Sequence, residues 1–160
     1  ARIEEQVAVL RALWCDPVIT FEGKWHKITE AGINPLPIQR PIPIWFGAGG
    51  PLPGVPDVVL NRIGRLGDGW FPMRRPDDKA RAMIDQVHVA ARVAGRDPAS
   101  IGLAPRLATA QVPEAEWTTY AEGWRGLGAT HLGVVTMNAG LRSAQDHIDI
   151  LRRVKERLDG

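Results

Sequence analysis

Hydrophobic and polar positions along this chain alternate between two patterns, and together the patterns predict a repeated strand–helix architecture. Segments with apolar residues at helical spacing begin with residues 2–14 and recur through the chain. Between the later helical segments lie short, almost continuously apolar runs, which are typical of buried parallel strands. The predicted strands are centred near Ile44, Trp70, Leu107 and Val134.

The N-terminal part of the chain predicts a different arrangement. A helix is expected within residues 1–16, and β-branched and aromatic residues around Glu22-Gly23 predict a hairpin. A proline-rich stretch follows, so residues 17–43 form a hairpin and proline-rich insertion, and residues 44–160 form four strand–helix units. The whole chain, residues 1–160, is expected to be a single domain of the α/β class.

Local signals fix several element ends. Asp77 or Asp78 is placed to cap a long helix that stops near Gly95, and Ser143 with Asp146 predicts a capping box before the last helix. Pro105 interrupts the third predicted strand, which indicates an irregularity there.

The first predicted parallel strand, residues 42–47, ends in Gly47-Ala48-Gly49-Gly50. Glycines let backbone N–H groups approach an anion closely, and such a loop at a strand's carboxyl end is a common phosphate site. The alternative is an ordinary strand-to-helix turn. Residues 51–56 lengthen the loop and delay the next helix to about Asp57, which weakens the contribution of the helix dipole.

The sequences PIPIWFGAGG and RIGRLGDGWFP, with the opening segment EEQVAVLRALWCDPVITF, resemble the bacterial luciferase-like family of flavin- and deazaflavin-dependent oxidoreductases. The resemblance extends from about Arg2 to the end of the chain. It implies a TIM (β/α)8 barrel of which this chain supplies the C-terminal half: four parallel strands with helices, plus the N-terminal helix and hairpin insertion.

Length agrees with this expectation, since a full barrel needs about 250 residues and the chain has 160. The chain begins at Ala1 without an initiator methionine, so we expect a fragment. A half barrel exposes strand edges and an apolar inner face, which we expect to include Ile44, Phe46 and Val135. The expected partner is therefore a second copy, in a homo-oligomer, or the missing N-terminal half barrel.

The resemblance also implies a function. The backbone of Ala48, Gly49 and Gly50 would hold the phosphate of coenzyme F420 or FMN, and the Ala48-Gly49-Gly50-Pro51 sequence slightly favours F420. The parent protein would transfer hydride to or from a small-molecule substrate, or act as a monooxygenase. The catalytic residues are unknown and are expected in the missing half, so the fragment alone is expected to be inactive. The alternative is a non-catalytic, self-associating half barrel that binds no cofactor.

Other side chains have both a functional and a structural interpretation. Arg74 and Arg75 follow the second strand and are placed either to contact an anionic tail or substrate or to lie in a solvated loop. Trp70 is expected mainly in the core, with a cofactor-facing position as the alternative, and Asp68 is expected to cap backbone N–H groups of its turn. His26, in the hairpin, is the one histidine with a route to the barrel mouth as a general acid or base.

Composition limits the ligands and the cellular location that we expect for this chain. A net charge of +2 without a lysine or arginine block argues against nucleic-acid binding, and no apolar run is long enough to span a membrane. The single Cys15 favours a reducing, cytoplasmic location. The four histidines are scattered, so no metal site is expected.

Overall fold

The computed structural model describes residues 1–49 and 54–159. A long helix and an antiparallel hairpin come first, and parallel strands then alternate with helices. In chain order the elements are α1 (Arg2–Cys15), β1 (Ile19–Glu22), β2 (Lys27–Ala31), β3 (Trp45–Gly49), α2 (Asp57–Leu66), β4 (Gly69–Met73), α3 (Asp78–Val93), β5 (Gly102–Leu103), β6 (Arg106–Ala108), α4 (Trp117–Gly126), β7 (Gly133–Val135) and α5 (Ala144–Asp159).

The strands after the hairpin pair in parallel. Strand β3 pairs with β4, β4 pairs with β5, and β6 pairs with β7. The predicted α/β class with a parallel sheet is therefore confirmed, and so is the antiparallel hairpin of β1 and β2.

The third predicted strand is divided into β5 and β6. Its first part pairs with β4 and its second part with β7, and the break falls at Ala104 and Pro105. Pro105 has no N–H to donate to a ladder, which accounts for the interruption. The Thr130 hydroxyl accepts the Leu103 N–H at 3.0 Å and so replaces a ladder bond at the break.

The first parallel strand begins later than the sequence predicts. It runs from Trp45 to Gly49, so the prediction of a strand over residues 42–47 was wrong in its bounds. Pro41 and Pro43 cannot donate to a ladder, and the Ile44 N–H goes to the Asp68 carboxylate at 2.9 Å. The glycines predicted to form a loop are thus partly inside the strand.

The hydrophobic core lies between the sheet and its helices. Strand residues such as Trp70 and Leu107 are almost fully buried there against α2, α3, α4 and α5. Phe46 packs against this helix-side core, so its prediction on the inner face was wrong. Phe46 and Ala48 belong to the set of alternate β3 residues that faces the helices, and Trp45 belongs to the set that faces the other way, because neighbouring strand residues point to opposite faces.

The predicted helix signals are present in the structure. Asp77 accepts the Ala80 N–H at 2.7 Å, and Ser143 and Asp146 bond reciprocally across the start of α5. Gly95 has a φ of +72° just after α3, in the left-handed region that favours glycine. Among the described residues, no helix is both long and apolar enough to cross a membrane.

Candidate functional site

The face of the parallel sheet that its helices leave uncovered, here called the open face, carries an aromatic group. The Trp45 indole lies across Gly69 and Gly102, where an added Cβ would collide with the ring. The Trp45 ring centroid is 5.1 Å from that of Phe71 and 5.7 Å from that of His131. These side chains and Arg106 border an open cavity of about 380 Å³.

A second cavity, here called the strand-end cleft, lies at the carboxyl ends of β4 and β6. Its volume is about 510 Å³. The carboxyl ends of parallel strands are where α/β barrels place their ligand sites. The cleft is lined by Met73, Arg74, Arg75, Arg106, Ala108, Gln111, Val112, Tyr120 and Val135.

Two of the three cleft arginines are paired with carboxylates. Arg74 reaches Asp77 at 2.8 Å, and this guanidinium is the main reason that the pKa of Asp77 is lowered from 3.8. Arg75 reaches Glu116 at 2.7 Å, and that hydrogen bond raises the pKa of Arg75. Both arginines therefore stand where the sequence predicted, but each already has a counter-charge. The Arg75 pair is exposed, so exchanging its partner for a ligand costs little.

Tyr120 forms part of the cleft and is buried. Its hydroxyl donates to the Arg106 carbonyl at 2.9 Å, and the Arg74 carbonyl is a second, longer acceptor at 3.2 Å. The hydroxyl thus links Arg74, just after the end of β4, to Arg106, the first residue of β6. Desolvation raises the pKa of Tyr120, which keeps the phenol neutral and donating at physiological pH.

Arg106 differs from the other two arginines of the cleft. Its side chain is exposed on the open face, and its guanidinium carbon lies 5.4 Å from the Phe71 ring centroid. No carboxylate of residues 1–49 or 54–159 lies within 4.0 Å of this guanidinium. The arginine borders both cavities.

The predicted phosphate-binding residues lie one strand away from the cleft. Ala48 and Gly49 are the last two residues of β3, and Gly49 is paired with Met73, which lines the cleft. The Ala48 carbonyl accepts the Trp70 indole N–H at 3.2 Å. A Cβ added to Gly47 would meet nothing within 4 Å, so the open face is uncrowded there. Gly50, the third predicted residue, lies outside the described residues.

The Asp68 side chain contacts residues outside its own turn. Besides the Ile44 N–H, its carboxylate is 3.1 Å from Arg11 and 3.4 Å from Arg96. It therefore joins α1 and the end of α3 to the amino ends of β3 and β4. The prediction that it caps the N–H groups of its own turn was too local.

His26 lies at the junction of α1 and the hairpin. Its Nδ1 is 2.8 Å from a Glu5 oxygen, and the same carboxylate accepts the backbone N–H groups of Lys24, Trp25 and His26. Glu5 thus docks the hairpin on α1, and the structure gives His26 a docking role there. Within residues 1–49 and 54–159, no three histidine, cysteine or acidic side chains are grouped in a metal-binding arrangement.

The sequence reasoning missed Arg106 and Tyr120 as cleft residues. Strand alternation contains the signal for Arg106, since it precedes the buried Leu107 and must point to the opposite face. Tyr120 carried no such signal. Its position on the buried face of α4 predicts only packing, and the hydroxyl reaches the cleft through the tertiary fold.

A parallel sheet with helices on one face and a cleft at its strand ends places this chain among the barrel-type α/β proteins. The sequence comparison identifies the group more narrowly. The chain belongs to the luciferase-like monooxygenase family, whose model matches residues 1–158.

Curated relatives align with part of the chain. An F420-dependent glucose-6-phosphate dehydrogenase of Intrasporangium calvum is 40% identical over 71 residues, which are 44% of this chain and 19% of the relative. The phthiodiolone/phenolphthiodiolone dimycocerosates ketoreductase of Mycobacterium bovis is 38% identical over 106 residues, 63% of this chain and 26% of the relative. The aligned segments thus span less than a third of each of these relatives.

Solved structures show the same fold at low identity. An F420-dependent secondary alcohol dehydrogenase, in complex with an F420-acetone adduct, matches with a TM-score of 0.55 and 17% identity, covering 98% of this chain and 54% of that one. The F420-dependent tetrahydromethanopterin reductase of Methanopyrus kandleri matches with a TM-score of 0.54 and 23% identity, covering 73% and 33%. These are luciferase-like proteins with a TIM barrel.

Proposed function

We propose that this chain is the C-terminal half of a barrel that binds coenzyme F420 and transfers hydride between the cofactor and a small-molecule substrate. The observation that carries the proposal is the glycine-containing strand β3, which is uncrowded at Gly47 and ends next to a basic cleft. The relatives support F420 in particular, because the glucose-6-phosphate dehydrogenase, the secondary alcohol dehydrogenase and the reductase are each described as F420-dependent.

The residues present fit a phosphate-bearing cofactor. Among the described residues, strand β3 is an edge strand of its sheet, so its alternate N–H groups point away from β4. Ala48 and Gly49 are consecutive, so the N–H of one of them points away from β4 and can bind a phosphate, and glycine leaves room for close approach. We propose the same role for Gly50.

The open face supplies the remaining requirements. Trp45 and Phe71 form an apolar wall, and Arg75 can exchange Glu116 for an anionic tail. When bound, F420 supplies the hydride chemistry itself. We assign no catalytic residue to the described part of this chain.

The proposed half barrel also needs a partner. Trp45 and Phe71 are only partly buried on the open face, and the edge of β3 has no partner strand among the described residues. We propose that an N-terminal half barrel covers this face in the whole protein and that the isolated chain pairs with a second copy. The incomplete face equally favours the second candidate function, a self-associating half barrel without cofactor.

Titration with oxidised F420, followed by its fluorescence, tests the proposal on the full chain, including any residues that flank the 160 described by the sequence. We expect saturable quenching by F420 and at least tenfold weaker binding of FMN. Equal or tighter binding of FMN would reverse the cofactor assignment. No binding of either cofactor would favour the non-catalytic alternative.

A further inference from the structure

We propose that Arg106 binds an oxyanion of the substrate, a phosphate or a carboxylate, in the strand-end cleft. The inference rests on the proposed function and adds a substrate class to it. It depends on three features of Arg106: its missing counter-charge, its fixed position and its distance from the predicted cofactor phosphate site.

The charge balance of the cleft is positive because of Arg106. Three arginines line the cleft, and none of its lining residues is acidic. Asp77 and Glu116 neutralise Arg74 and Arg75 from outside the lining, which leaves the charge of Arg106 without a partner among the described residues. A guanidinium that faces apolar walls is stabilised by a ligand oxyanion, which accepts two parallel hydrogen bonds from its planar fork.

The position of Arg106 is fixed from two sides. The Tyr120 hydroxyl holds its backbone carbonyl at 2.9 Å, and the Phe71 ring lies beneath its guanidinium at 5.4 Å. A cation over an aromatic face keeps its hydrogen-bond donors free at its edges. Arg106 is therefore held in place by contacts that leave its donors available to a ligand.

The oxyanion is separate from the phosphate that we place at the end of β3. The Ala104 N–H bonds to the Trp70 carbonyl at 3.0 Å, so the strand segment that leads to Arg106 lies beside β4, and β3 lies on the other side of β4. Two strand spacings are about 10 Å. The Arg106 guanidinium lies over Phe71, beside the middle of β3 and not at the strand end where we place the cofactor phosphate, so we assign its counter-charge to the substrate.

Isothermal titration with inorganic phosphate at constant ionic strength tests the site on the full chain. We expect Arg106→Gln to weaken phosphate binding at least tenfold, the loss of a charge-assisted hydrogen bond. The phosphate affinity of Arg106→Lys should lie between those of wild type and Arg106→Gln, since lysine keeps the charge and loses the planar fork. Arg81→Gln, which removes an exposed charge from α3, is the matched control and should change binding by less than twofold.

A second titration separates the two sources of the oxyanion. Arg106→Gln should change F420 affinity by less than twofold, while a tenfold loss would assign the oxyanion to the cofactor and overturn the proposal. Phosphate binding that is unchanged in Arg106→Gln, or weakened equally in Arg81→Gln, would also overturn it. Failure of wild type to bind phosphate, with a lower melting temperature for Arg106→Gln, would assign Arg106 to a structural ion pair instead.

Two different experimental outcomes separate the Arg106 oxyanion site from the proposed cofactor binding. A protein that binds phosphate through Arg106 but does not bind F420 would refute the cofactor and keep the oxyanion site. A protein that binds F420 with an unchanged phosphate affinity in Arg106→Gln would do the reverse.

Discussion

Trp45 shows how single residues shape the open face. Its indole lies flat on the sheet because Gly69 and Gly102, on the two following strands, carry no side chain. The ring then covers backbone on the open face, and it lies 5.1 Å from the Phe71 ring, which is in turn 5.4 Å from the Arg106 guanidinium carbon. These glycines are required by close packing rather than by backbone conformation.

Replacing Gly102 by alanine should therefore destabilise the protein. The added Cβ would meet the Trp45 ring, and overpacking of this kind typically costs about 1–3 kcal/mol. Gly47→Ala is the matched control, since a Cβ there meets nothing within 4 Å, and it should be neutral or slightly stabilising. Urea unfolding of both variants measures the difference. Equal stabilities would show that Trp45 is free to move off the glycines.

At the scale of whole elements, the hairpin depends on one carboxylate of α1. Burial alone would raise the pKa of Glu5, but the bonds from the His26 side chain and the hairpin N–H groups lower it below 4.5. A carboxyl group whose pKa is lowered in the folded state stabilises the fold at pH values above the pKa that it has in the unfolded state. That stabilisation is lost as the pH falls through the lowered value.

The melting temperature should consequently decrease as the pH drops below about 4.5. Glu5→Gln should remove part of that decrease. Several other carboxyl groups also have a lowered pKa, so the informative quantity is the difference between wild type and variant as a function of pH. Glu22→Gln, which breaks an exposed pair with Lys27, serves as the control and should follow wild type. Parallel curves for wild type and Glu5→Gln would remove this docking role.

The order of the helices and strands could be predicted from the sequence, but some of their bounds and pairings could not. Apolar runs and capping residues such as Asp77 predict strand and helix order well, since both are local properties. The start of β3 was misplaced because the partner of the Ile44 N–H, Asp68, is distant in sequence. The split of β5 from β6 was only partly predicted, since Pro105 indicates an irregularity and not which strands the two parts pair with.

The candidate site was predictable to a similar degree. The end of β3, Arg74 and Arg75 follow from strand order, because barrel proteins place ligands at strand ends. The ion pair of Arg75 with Glu116, 41 residues later, could not be predicted from local patterns.

For the whole molecule, we predict that the chain of 160 residues does not remain monomeric by itself. Its open face carries Trp45 and Phe71, and among the described residues no strand pairs with the outer edge of β3. Sedimentation velocity at micromolar concentration should show a dimer or a larger species. Adding the complementary N-terminal half barrel should convert that species to a one-to-one complex. A well-folded monomer that does not bind the added N-terminal half barrel would contradict the half-barrel proposal.

The central claim is that the end of β3 binds the cofactor phosphate, and substitution of Gly49 tests it most directly. We expect Gly49→Val to weaken F420 binding at least tenfold in a fluorescence titration of the full chain, because a β-branched side chain blocks the approach of phosphate to the backbone. Gly126→Val, at the exposed end of α4 where a Cβ meets nothing within 4 Å, should bind F420 like wild type. An unchanged affinity in Gly49→Val, with the fold intact by circular dichroism, would contradict the claim.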